Sequence, residues 1–274
     1  MAVAKTICES VLEELNAYST SNTRPDPFTA NRLRREITKL ENADFMAAHM
    51  CSGILYTIER KPNDAIAEFE ELLKYAPDDP SLHQNYAHSL SKFRMANAAN
   101  LHYRISADNA ADPTEVLIDF AETSQVVCRP HAFMEVLNRN MPRADEEALK
   151  ANIDVRRVIR IANLFEEAGL SDDDANSVYS ATEQLFIDHD LEIKTGYFRR
   201  TSMYGSSTLT FFAELAVEDD LIHDINEDLC DRMVDLDVAH LLKDLTYVFV
   251  AHTPRTQPEE FPQNCSTDLK HAHL

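Results

Sequence analysis

At 274 residues and 44% hydrophobic content, the chain is long enough for two units with sizeable cores, yet holds no apolar run near the ~20 residues a membrane span requires. Its 4 glycines form neither a Gly-x-Gly-x-x-Gly nor a Gly-x-x-x-x-Gly-Lys phosphate cradle, which sets aside the familiar nucleotide enzymes. A net charge of −21 opposes direct binding to nucleic acid, whose phosphates are held mainly by Lys and Arg, and favours a partner of basic character.

The first ten residues reach acidic side chains without the basic start and apolar block of a secretory leader, so a cytoplasmic protein is expected. Cys8, Cys51, Cys128, Cys230 and Cys265 are widely spaced and odd in number, which fits reduced thiols rather than a disulfide framework or a metal pair. Cys51 and Cys128 fall in apolar helical patterns and read as small core residues.

In chain order, Ile7, Val11 and Leu15 recur every four positions and predict a helix over 2–18. A Ser/Thr/Asn/Asp/Pro stretch over 19–27 marks a connection. Thr29 is placed to cap a second helix through Leu33, Ile37 and Leu40, with a break near 41–44. These two helices make up residues 1–45.

From Met46 the spacing becomes more specific. Gly53 and Ala65 are small where two helices would cross, Tyr56 and Phe69 are large beside them, and Pro77 follows a helix that ends near Tyr75. This pattern resembles the tetratricopeptide repeat, a helix pair of about 34 residues. A second frame, 80–113, supplies Ala87, Leu90, Ala99 and Tyr103, with its proline displaced to Pro113. A third from Thr114 keeps Phe120, Ala121 and Leu137 but has Ser124 where a large residue is expected, Phe133 where a small one is, and Asp145 for proline. The resemblance covers about a third of the chain, lacks the family's tryptophan, and leaves other helical-hairpin repeats open. It implies a helical array over 46–168 that acts as an adaptor, scaffold or chaperone-like module. Its groove, lined by the first helix of each pair, nominates Met50, Ile54, Thr57, Gln84, Asn85, His88, Glu115, Asp119 and Glu122. Asn85 stands where the family's carboxylate clamp has an asparagine, but Glu115 and Asp119 replace its basic residues, so the resemblance implies a basic ligand group rather than a peptide carboxylate.

Past Pro142, an apolar stripe of Val155, Val158, Ile159, Ala162 and Phe165 predicts one long helix over 144–168, ended by Gly169. Ser171-Asp172-Asp173-Asp174 starts another that runs to about His189. Alternation over 191–197 and a Thr/Phe/Val-rich run over 208–217 read as a hairpin, 218–236 returns to helical spacing, and 245–250 reads as a final strand. The fold class is thus mainly α, a hairpin array followed by a small α+β domain over 169–252. In that domain Leu221, Ile225 and Leu229 are expected against Phe211, Leu215 and Val248. Residues 253–274, which include His271 and His273, read as a mobile tail or a short surface-following segment.

Charge is concentrated late in the chain: residues 171–240 hold 17 Asp and Glu against 4 Lys and Arg. Asp220, Asp224, Asp228, Asp231 and Asp235 recur at helical spacing, where like charges repel by ~0.2–0.5 kcal/mol per pair. That face reads either as a docking strip for a basic protein or peptide or as a solvated, solubilising surface. Asp220, His223, Asp224 and Glu227 would be the residues of a metal- or carboxylate-dependent enzyme, the alternative to binding. A third reading is an acidic mimic or immunity-type inhibitor. No catalytic constellation, resident metal or cofactor is expected. Arg199, Arg200 and Tyr204 near the hairpin turn read as partners for the domain's own carboxylates.

Overall fold

A computed structural model describes residues 2–203 and 206–252 of the chain. They divide into two compact units that meet at Asp190 and Leu191.

The first unit is all helix: α1 (Ala2–Ser21), α2 (Pro27–Glu41), α3 (Phe45–Ile58), α4 (Pro62–Leu73), α5 (Pro80–Lys92), α6 (Ala96–Asn109), α7 (Thr114–Val126), α8 (Pro130–Asn140), α9 (Glu146–Ala151), α10 (Ile153–Ala168) and α11 (Asp172–Asp188). Asp26, not Thr29, caps α2, accepting the amides of Phe28 and Thr29 at 2.8 and 3.2 Å. Pro27 fits the first helical position because its missing N–H needs no partner there. The long helix expected over 144–168 is interrupted. Asn152 leaves helical geometry at ψ 133 and its side chain accepts the amides of Asp154 and Val155, capping α10 afresh. Gly169, at φ 67, closes α10 in the left-handed conformation.

α3/α4, α5/α6 and α7/α8 are successive hairpins whose first helices end at Ile58, Lys92 and Val126, a constant spacing of 34 residues. Within the first, a Cβ on Gly53 would lie 2.8 Å from Phe69 Cε2, so the helices approach over a bare Cα. Phe69 is fully buried and stacks on Tyr86 of the next hairpin, ring centroids 5.0 Å apart. The third hairpin forms despite its exchanged residue sizes. Phe133 packs against Phe120 at 5.6 Å, while Ser124 accepts a hydrogen bond from Asn100 at 2.9 Å. Large–small at Tyr56 and Ala65 has become small–large at Ser124 and Phe133, with Phe133 fully buried where Tyr56 is half-buried. Each hairpin turns through a non-glycine residue of positive φ: Arg60 at 59°, Arg94 at 67° and Cys128 at 57°.

α11 belongs with this helical unit rather than with the strands, because polar side chains tie it there. Asn176 donates to the Val127 carbonyl and to Asn97 Oδ1, and Glu183 accepts the Asn97 amide at 2.7 Å. Cys51 and Cys128 are buried, and burial pushes the Cys51 thiol up to about 12, so neither is a nucleophile.

The second unit contains β1 (Ile193–Met203), β2 (Ser206–Leu215), α12 (Asp219–Asp235) and β3 (Leu245–Ala251). β1 and β2 pair antiparallel, β3 joins β2 in parallel, and the sheet order is β1-β2-β3. Strand alternation places Phe211 opposite Tyr247 and Ala213 opposite Phe249 on one buried face. Val248 therefore lies on the other face and is only half-buried, so it is Tyr247 and Phe249 that share the face of Phe211 and Leu215. Ile225, Leu229 and Met233 are the buried side chains of α12, whereas Leu221 is half-buried.

Asn226 of α12 reaches the outer edge of β3, donating to the Phe249 carbonyl at 2.9 Å and accepting its amide at 3.0 Å. One side chain thus occupies the backbone positions that an incoming strand would take. Asn226→Leu is expected to destabilise this unit by roughly 2–3 kcal/mol and to promote concentration-dependent association. Urea unfolding and light scattering check it, and unchanged behaviour in both would remove the edge-capping role.

Candidate functional site

The groove residues nominated by the sequence separate into three groups. Ile54 and Thr57 are buried, with 7% and 8% exposure, and do not line the expected groove. The cause is α1, which runs along α3 from Cys8 beside Cys51 to Tyr18 beside Thr57 and Ile58, with Val11 and Leu15 buried in the same core as Ile54. Met50 is half-buried and packs against that core. The stretch of groove expected at Met50 and Ile54 is therefore a packing surface.

Asn85 turns onto its own helix, where its Nδ2 donates to the Ser81 carbonyl at 2.8 Å. That leaves Gln84, His88, Glu115, Asp119 and Glu122, carried by α5 and α7, and the first, second and fourth of these meet. Gln84 Nε2 donates to Asp119 Oδ2 at 3.1 Å, and His88 Nε2 lies 3.3 Å from the same oxygen. The carboxylate only accepts, so Nε2 carries the imidazole proton and Nδ1 accepts from Tyr103 O–H at 2.8 Å. Tyr103, buried on α6, is held protonated by burial and then by Asp119, well above the usual phenol range. The chain Tyr103–His88–Asp119 consequently fixes the ring of His88. Burial of the Tyr103 phenol opposes its ionisation.

The carboxyls of this wall repel one another. Burial, and then Glu115, raise Asp119 above the ordinary carboxylate range, while His88 and Gln84 pull it back. Glu122 is exposed on α7; partial desolvation, followed by the charges of Asp154 and Asp119, raises its carboxyl, with Lys92 the weakest influence and the only opposing one. Among the described residues neither Glu115 nor Glu122 has an ion-pair partner.

On α12, Asp220, Asp224, Asp228, Asp231 and Asp235 are all exposed. His223 Nε2 and Glu227 Oε1, also exposed, lie 3.3 Å apart and engage each other. Among the described residues no group of three or more His, Cys, Asp and Glu side chains gathers at metal-binding distance. Arg199 and Arg200 are exposed on β1, while Tyr204, Cys265, His271 and His273 lie outside the described residues, as does the tail over 253–274.

Two features escaped the sequence reading because their members meet only through the hairpin stacking. One is a histidine pair in the core of the array. His83 Nε2 donates to the Pro77 carbonyl at 2.8 Å, so its Nδ1 accepts from His102 Nδ1, also at 2.8 Å. Burial, then His83, pushes His102 down to about 4, so the His102 ring is neutral at pH 7. The other is a cavity of about 160 Å³ lined by Tyr18, Thr23, Arg24, Thr57, Arg60 and Lys92 among others. No helix among the described residues is long and apolar enough to cross a membrane. No protein family model, curated protein or solved structure matches the chain.

Proposed function

We propose that the chain is a protein-interaction module of the tetratricopeptide-like, helical-hairpin type, an adaptor or scaffold whose α5–α7 wall takes a Lys or Arg side chain of a peptide or protein partner. The carrying observation is the set Glu115, Asp119 and Glu122, in which two carboxyls are held above their ordinary range and two have no ion-pair partner among the described residues. Such a wall is electrostatically unfavourable in the free protein, and a cation docked between Asp119 and Glu122 relieves it. The 34-residue recurrence of the hairpins and the fixed ring of His88 support the same reading, since both make α5 and α7 a rigid platform. Free thiols at Cys8 and Cys51, which sit side by side, support a reducing, cytoplasmic setting.

The test is fluorescence anisotropy with Lys- and Arg-containing peptides on the wild type and on Asp119→Asn/Glu122→Gln. Binding is expected to weaken at least ~10-fold in the variant and to fall with salt. The free variant carries a second expectation of definite sign. A raised carboxyl favours its protonated form in the folded state, so its stabilising contribution is complete below the unfolded pKa and lost as pH rises through the folded value. Glu122→Gln, which keeps the neutral form at every pH, is therefore expected to raise Tm at pH 7 and to change it little at pH 3. Equal affinity of wild type and double variant for basic peptides removes the wall as the site.

A second surface is favoured by the exposure of all five α12 aspartates. Neutralising Asp220, Asp224, Asp228, Asp231 and Asp235 together separates it. Affinity lost there and kept in the wall variant assigns the partner to α12 and favours the acidic-mimic reading.

A further inference from the structure

The cavity at the ends of α1, α3 and α5 has the opposite chemistry to the wall. Arg24 follows α1, Arg60 follows α3, and Lys92 is the last residue of α5, so three separate segments bring three cations to one hollow. Its lining contains no Asp or Glu among the described residues, and none of the three cations forms an ion pair there. In a chain where acids outnumber bases 47 to 26, many other cations among the described residues have found carboxylates: Arg32 lies on Glu14 and Glu36, and Arg139 on Asp108. The acid nearest Arg60 in sequence, Glu59, is already engaged by Arg34 and Lys61. Arg60 gives one N–H to the Lys92 carbonyl at 2.5 Å and retains the rest of its guanidinium donors.

We propose that this cavity binds a single phosphoryl group. Its volume of about 160 Å³ lies below the roughly 300–1,000 Å³ of a small-molecule site, so it admits one group of a ligand and not a whole cofactor. Three cations on different segments, with the hydroxyls of Ser19 and Thr23 beside them, suit a tetrahedral dianion with several acceptor oxygens. A planar carboxylate is satisfied by one bidentate arginine and has no use for the other two charges. The side chains supply what glycine-rich backbone cradles supply elsewhere. Repulsion from the chain's distant acids is screened beyond ~8 Å at physiological ionic strength, so the local charges govern the site. The phosphoryl group belongs either to free phosphate or to a phosphorylated segment of a partner.

The test is calorimetry and thermal unfolding of the full chain with inorganic phosphate, a phosphoserine peptide and acetate, all at matched ionic strength. The expected result is saturable one-site binding of phosphate that acetate does not reproduce. It should weaken at least ~10-fold in Arg24→Gln and in Lys92→Gln, two side chains with solvent access whose neutral variants keep the wild-type circular dichroism. Arg60 is spared because its bond to the Lys92 carbonyl ties one hairpin to the next. A peptide that binds at least ~10-fold tighter than inorganic phosphate identifies a phosphorylated segment, and equal affinities identify free phosphate. Asp119→Asn alone should leave phosphate binding intact, which keeps this site separable from the wall; Glu122 is left unchanged in this control because it lies within the electrostatic reach of Lys92. No saturable phosphate binding, equal binding of acetate, or full binding by both cation variants overturns the proposal.

Discussion

Phe69→Ala is expected to lower the unfolding free energy of the helical unit by about 3–5 kcal/mol, the range for emptying a fully buried aromatic site. The ring fills the space above Gly53 and stacks on Tyr86, so its loss opens a cavity shared by α3, α4 and α5. Urea unfolding followed by helical circular dichroism reads the effect, and a double-mutant cycle gives its cause. In the wild type, Gly53→Ala places its methyl 2.8 Å from Phe69 Cε2 and has to displace a ring held by its neighbours. In Phe69→Ala the obstruction is gone, and the same change should stabilise by up to ~1 kcal/mol through helix propensity. If Gly53→Ala has the same effect in both backgrounds, the Gly53–Phe69 contact does not set the helix approach.

Asp172→Ala is expected to cost about 2–4 kcal/mol, more than the usual loss of a helix cap. Arg129, at the N-cap position of α8, makes no side-chain capping bond. The open amides of His131 and Ala132 are accepted instead by Asp172 of α11 at 3.1 and 2.8 Å, and His131 Nδ1 lies 2.9 Å from the same carboxylate. The side chain is only 13% exposed, so water does not readily replace it. Hydrogen exchange at His131 and Ala132 should accelerate in the variant, while amides of α3 and α4 stay protected. Asp172→Asn, which keeps an acceptor but no charge, should fall between the two. Exchange that rises uniformly across the unit, or not at all, would contradict a cap supplied from another helix.

These two sites mark where sequence reasoning stops. Local periodicity makes α1, α2 and α10 legible and repeat spacing makes α5 and α7 so, while the turn chemistry around Gly169 and the strand pair before α12 are equally local. The acidic run at 172–174 announced a helix start correctly, yet nothing in its spacing reveals that Asp172 serves α8 across 40 residues of chain. Asn152 does not stand out, because an asparagine within an apolar period is weak evidence until its side chain is seen on two amides. The face of Val248 is not legible, because a run of apolar residues carries no alternation to read. Of the groove, Gln84, His88, Asp119 and Glu122 could be nominated from repeat spacing. Ile54 was lost to it because α1, which has no counterpart in that spacing, lies along α3.

The turns at Arg60, Arg94 and Cys128 give the helical unit a further property. Each holds a side chain in a backbone conformation that costs an L-residue about 1–2 kcal/mol and glycine nothing. Arg60 uses that side chain to grip the end of α5, and Arg94 lies 3.4 Å from Asp190 at the unit's last residue. Strain within one hairpin is thereby exchanged for adhesion between that hairpin and a distant segment. Among stacked hairpins, such an exchange lowers the intrinsic stability of each hairpin and raises the coupling between hairpins. The helical unit should then melt as one body, with no stable fragment of one or two hairpins surviving on its own.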